Sequence, residues 1–124
     1  MKVTGKLRDS IIANLADTDS RRIINSTLKE SKTALVIGKE LDMPTSTLYR
    51  KMAELKGCGL LMVDRIVVRE DGKREPAYAC TFKEISIRPG DTEVELEVVL
   101  SNRGIEKVWF DLFFPKAAPS SEKP

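Results

Sequence analysis

At 124 residues, 41% of them hydrophobic, the chain has room for one domain with short extensions and a modest core, but not for a second full domain. Its formal charge of +2 does not by itself mark a nucleic-acid binder. No apolar run reaches the length of a membrane span, and MKVTGKLRDS lacks the apolar stretch of a signal peptide, so no membrane partner and a cytoplasmic location are expected. With no histidine, and with Cys58 and Cys80 far apart, no metal site and no cofactor are expected; the cysteines read as reduced buried thiols or, alternatively, as a redox switch.

The first element is a short amphipathic helix over Leu7 to Leu15, with Leu7, Ile11, Ile12 and Leu15 on one side. A second follows, capped by Asp19 or Ser20, with Ile23, Ile24, Thr27 and Leu28 inward and Arg21, Arg22 and Lys29 wet.

TALVIGKELDMPTSTLYRKMAELKGCGLL then carries the punctuation of a helix-turn-helix. Thr33 caps a helix whose Ala34, Ile37, Gly38 and Leu41 recur at helical spacing, and Asp42-Met43-Pro44 breaks it. Pro44 fixes φ at the start of the next helix, residues 44–56, along which Leu48, Met52 and Leu55 form a single stripe before Gly57 and Gly59 end it. The opposite face holds Thr45, Ser46, Thr47, Tyr49, Arg50 and Lys51. Short hydroxyls and cations at a helix N-terminus suit a DNA groove, because Arg pairs bidentately with guanine and hydroxyls reach bases or phosphates.

Two strands follow, Leu61 to Val68 and Pro76 to Phe82, joined by a charged hairpin tip at residues 69–74. Asp71-Gly72 favours a tight turn with positive φ at both central positions. Arg69, Lys73 and Arg74 stand ready for phosphates or the minor groove, although Glu70, Asp71 and Glu75 offset their charge and a charged tip equally serves solubility. Beyond it, Glu84 to Arg88 continues as strand, Pro89-Gly90-Asp91 turns, and Thr92 to Leu100 alternates Val94, Leu96, Val98 and Leu100 with Glu93, Glu95 and Glu97. The acidic row predicts a face turned away from DNA. Asn102 caps a last helix with the stripe Ile105, Val108, Trp109, Leu112 and Phe113, ended by Pro115; the tail 115–124 has a disordered composition.

The run PTSTLYRKMAELKGCGLL with its strand, charged turn and second strand resembles the winged helix-turn-helix of ArsR-like archaeal and bacterial transcriptional regulators, over residues 19–82. The resemblance implies an α+β chain: a winged helix-turn-helix with an added C-terminal β-hairpin and terminal helix. It divides into an N-terminal helical extension (1–18), the DNA-binding unit (19–82), a C-terminal strand and helix (83–114) and a tail (115–124). It also implies that Ser46, Thr47, Tyr49 and Arg50 face the major groove while Leu48, Met52 and Leu55 pack inward. Leu35 and Val36 depart from the family pattern, whose matching positions are usually polar. Terminal helices of such regulators commonly form a two-fold interface, which implies a homodimer through Leu7, Ile11, Ile12, Ile105, Val108, Trp109, Leu112 and Phe113; packing within one chain is the other destination for these side chains.

The expected function is a sequence-specific regulator bound to double-stranded DNA, with Arg50 reading a base, Tyr49 on a sugar or thymine methyl or else packed beneath the wing, and Thr45, Ser46 and Lys51 on the backbone. The charge distribution agrees: residues 1–60 hold 11 Lys and Arg against 7 Asp and Glu, residues 61–124 hold 10 against 12. The alternative is a winged-helix protein-interaction module of a transcription or replication assembly, served by Leu35, Val36 and the acidic strand. An enzyme is not expected, since neither a phosphate-cradling loop nor a nucleophile with its base can be found. The sequence does not specify a small-molecule effector.

Overall fold

The structure is a computed structural model describing residues 1–113, with side chains through Lys107. The expected tail 115–124, Pro115, and the side chains of Val108, Trp109, Leu112 and Phe113 lie outside the described residues.

The chain opens with strand β1 (Lys2–Val3) and helix α1 (Gly5–Ala16). Asp17, rather than Asp19 or Ser20, caps α2 (Thr18–Ser26): its carboxylate accepts from the Ser20 N–H at 2.9 Å. The two-residue strand β2 (Lys32–Thr33) leads into α3 (Ala34–Leu41), where Thr33 Oγ1 accepts from the Val36 N–H as its spacing predicts. Asp42 ends α3 at φ 51°, a left-handed conformation that Asp tolerates, and α4 (Thr45–Gly57) starts after Pro44. Gly38 lets the two helices close up, since a methyl there would sit 3.1 Å from Leu48 Cδ2. Strands β3 (Leu61–Val68) and β4 (Arg74–Cys80) form the hairpin after α4, and β2 adds to β4, giving the antiparallel order β2-β4-β3. Helices α2, α3 and α4 followed by this hairpin have the topology of a winged helix-turn-helix.

A second antiparallel sheet, β1-β6-β5, is built from β5 (Phe82–Pro89), β6 (Val94–Leu100) and the first residues of the chain. Helix α5 (Asn102–Phe113) follows. Its cap is Ser101, whose Oγ accepts from the Gly104 N–H at 3.0 Å, so the expected cap at Asn102 moves back one residue. Gly104 is buried there because any Cβ would collide with the Thr81 carbonyl oxygen.

One core joins the elements: Ile23 and Ile24 of α2, Ile37 of α3, Leu48, Met52 and Leu55 of α4, Leu61 of β3 and Leu96 of β6. Each such side chain contributes about 1.5–3 kcal/mol of burial free energy. The stripe expected on α1 is rotated. Arg8, Ile11 and Asn14 are buried, while Leu7 stays about half exposed. The reason is tertiary: the Arg8 guanidinium is held by Glu93 at 2.8 Å and Asp9 at 3.0 Å. Ile11, assigned above to an intermolecular surface, is therefore part of the chain's own core, and Ile12 packs against it.

Candidate nucleic-acid interface

Helix α4 divides cleanly. Leu48, Met52 and Leu55 are buried, and Thr45, Ser46, Tyr49 and Arg50 are exposed on its outer side. Thr47 is half-buried between the two. The Leu48 N–H donates to the Pro44 carbonyl at 2.9 Å, closing the first turn, and the free N–H groups ahead of it point along the axis toward any incoming anion.

Lys51 departs from the set expected to touch DNA. Its ammonium lies 2.8 Å from Asp17 Oδ1, and its side chain is only 14% exposed, so it ties α4 to the cap of α2 instead of reaching outward. Lys51 first, and then the Ser20 backbone amide, hold the Asp17 carboxyl down to about 2. The link spans 34 residues of sequence and leaves no local signature.

The hairpin tip is a three-residue loop. Arg69 and Lys73 are bonded N–H to carbonyl at 2.8 Å, the Gly72 N–H donates to the Arg69 carbonyl at 2.9 Å, and Gly72 has φ 84°. This is a type I turn closed by a glycine bulge, in which only Gly72 needs positive φ, and it corrects the two-residue turn expected at Asp71-Gly72. Asp71 Oδ1 accepts from the Lys73 N–H, and that bond first, with Arg69 beside it, lowers the Asp71 carboxyl below its ordinary range.

The three wing cations are not equivalent. Arg69 is held by Asp71 at 2.7 Å and by Glu75 at 3.6 Å. Among the described residues, Lys73, Arg74 and Arg50 take part in no ion pair, and all three are exposed. A cleft of about 440 Å³ separates the helix-turn-helix from the wing, with Leu35, Lys39, Thr45 and Tyr49 on one wall and Arg69 and Glu75 on the other. Tyr49 is 55% exposed in it, which excludes tight packing beneath the wing. Burial, and then neighbouring Tyr49, push the Tyr78 hydroxyl up. Lys39 was not singled out from the sequence; only the pairing of helix and wing across the cleft places it beside Thr45 and Tyr49.

The acidic row is also changed by its neighbours. Arg88 binds Glu95 at 3.1 Å and Glu97 at 2.7 Å, Lys2 lies 4.0 Å from Glu95, and Arg8 holds Glu93, so the row is largely neutralised. Both cysteines are buried; their thiols donate to the Leu55 and Phe82 carbonyls, and burial pushes both above the ordinary thiol range, away from the reactive thiolate. Among the described residues no group of three His, Cys, Asp or Glu side chains can hold a metal ion, and no helix is long and apolar enough to cross a membrane.

No protein-family model matches the chain, and no curated protein matches it either. Among solved structures, NolR from Sinorhizobium fredii matches at 11% identity with a TM-score of 0.42, covering 94% of this chain and 100% of that one. At that distance nothing of NolR's function is carried over to this chain.

Proposed function

We propose that the chain is a transcriptional regulator that binds double-stranded DNA in a sequence-specific way as a homodimer, of the ArsR-like kind, working in the cytoplasm. In this reading α4 enters the major groove, and wing residues 69–74 lie on the backbone or in the minor groove. The observation that carries it is the set of unpaired cations, Arg50 on α4 and Lys73 and Arg74 on the wing, on two elements that flank one cleft. The third wing cation, Arg69, is by contrast held by Asp71 and Glu75.

Roles follow from chemistry. Arg50 offers a planar fork for guanine O6 and N7; Tyr49 offers a ring face to a sugar or thymine methyl; Thr45 and Ser46 offer hydroxyls to phosphate. Lys73 and Arg74 neutralise phosphates and release counterions. Thr47 and Arg69 are secondary, the first through burial and the second through its two carboxylates. No catalytic step is assigned to any residue. For the two-fold interface, Leu7 and Ile105 remain exposed and able to serve, whereas Ile11 is withdrawn into the core.

Selection of bound sequences from random duplex DNA tests the proposal. A single enriched motif with two-fold symmetry supports it, and uniform recovery of all sequences sinks it. A second reading, a protein-interaction module, is favoured by one observation: Leu35 and Val36 are 50% and 42% exposed on α3. It predicts no salt-sensitive affinity for duplex DNA.

A further inference from the structure

Strand β5 is paired with β6 along one edge, and among the described residues no strand pairs with its other edge. Along this eight-residue strand every second residue thus turns its backbone N–H and C=O to the open edge, a template for another strand. Ile85 and Ile87 sit opposite Val98 and Leu96, so all four side chains share one face. Val98 and Leu96 are fully covered, Ile85 is half-buried, and Ile87 is 50% exposed. Among the described residues, the apolar layer beneath this sheet therefore runs out to the open edge without being closed.

The other face of β5 carries Glu84, Ser86 and Arg88. Arg88 donates through Nε to Glu95 and through Nη2 to Glu97, which leaves its Nη1 donors unused by either carboxylate. Glu84 accepts only a weak bond from Ser86 Oγ at 3.4 Å and meets no cation among the described residues.

The segment Lys83-Glu84-Ile85-Ser86-Ile87-Arg88-Pro89 is self-complementary about Ser86. We propose that the open edge of β5 pairs antiparallel with β5 of a second copy of this chain, on a two-fold axis through Ser86, joining two three-stranded sheets into one of six strands. In that register Ile85 faces Ile87 of the second copy, and Glu84 faces Arg88 of the second copy, each pair occurring twice. A slip of one residue would set the isoleucines on the wrong face. A slip of two would leave Glu84 opposite serine or glycine. The charges that guard the edge against indiscriminate strand addition thus select one partner and one register. This contact is independent of DNA binding and of the terminal helices.

The test is the mass of the full chain in solution, without DNA, by sedimentation across a concentration series. The native chain is expected to double its mass as concentration rises, starting from one chain or from a pair already joined through Leu7 and Ile105, and concentration-dependent protection of β5 identifies this step. Glu84→Arg and Arg88→Glu, each of which sets like charges across the axis, are expected to remove that doubling. An equimolar mixture of the two variants is expected to restore it, because the mixed pair again opposes unlike charges twice. Hydrogen exchange supplies an independent readout: β5 amides gain protection with concentration in the native chain and not in either variant. Self-association unaffected by both substitutions, a mixture that behaves as the sum of its parts, or β5 protection independent of concentration would each overturn the proposal.

Discussion

The two hairpins of this chain are built from similar materials and treat charge in opposite ways. In the second sheet, Arg88 is satisfied by Glu95 and Glu97, Arg8 by Glu93, and Lys2 lies beside Glu95; Lys83 is the exception. At the wing only Arg69 is satisfied, and Lys73 and Arg74 project from the tip of a rigid turn without a counter-charge. A paired surface cation has little to gain from a polyanion, since it must first give up its carboxylate or share it. An unpaired cation retains its full attraction and loses only water and counterions on binding. The two hairpins therefore differ in how many of their cations remain unpaired rather than in how many they carry.

The strongest way to break this comparison is to damage the second sheet and watch the first. Leu96→Ala removes a fully buried side chain under the second sheet and is expected to cost about 2–5 kcal/mol of stability, measured by chemical denaturation, while folded protein keeps its DNA affinity. A matching loss of affinity would mean that the two sheets do not divide the labour. Next in size, Arg50→Ala is expected to lower specific affinity by about 1–3 kcal/mol in fluorescence anisotropy with no change in melting temperature. An unaltered affinity would remove Arg50 from base reading.

Replacing Lys73 and Arg74 together by Ala is expected to flatten the slope of log affinity against log salt by about 2, whereas Lys83→Ala leaves it unchanged. Equal effects from both hairpins would erase the distinction. Thr33→Ala, which deletes the cap of α3, is expected to cost about 1 kcal/mol of stability. The smallest effect is that of pH on the bond that anchors α4 to the start of α2. Asp17 is lowered from an ordinary 3.8 to about 2, so its contribution is complete above its unfolded pKa and is lost as pH falls through the folded one. The melting temperature of the native chain should fall more steeply than that of Asp17→Asn between about pH 4 and about pH 2. Parallel curves would show that the Asp17–Lys51 pair adds nothing.

What was legible in the sequence was whatever is encoded locally. The Thr33 cap, the Leu48, Met52 and Leu55 stripe, the break at Asp42 to Pro44 and the span of β3 all depend on residues within a turn or two of one another. What escaped depends on distance along the chain. Strands β1 and β2 are two residues long and exist only because β6 and β4 offer them an edge. Lys51 looked like part of the outward cationic set because nothing near it announces Asp17. The stripe on α1 was expected to include Leu7, but Arg8 is buried instead because its partner Glu93 lies 85 residues away, out of reach of any local signal. The α2 cap was missed by two residues because Asp17, Asp19 and Ser20 all have side chains suited to the role, and only the path of the backbone selects among them.

Thr81 is the single residue between β4 and β5, and it is held from several sides. Its N–H donates to the Leu60 carbonyl, its hydroxyl to the Gly59 carbonyl at 2.7 Å, and its own carbonyl accepts from Ser101 while Gly104 presses against it. The turn after α4, both sheets and the start of α5 thus meet at this one residue. The amide of Thr81 should accordingly be among the slowest to exchange with solvent, opening only when the whole chain unfolds.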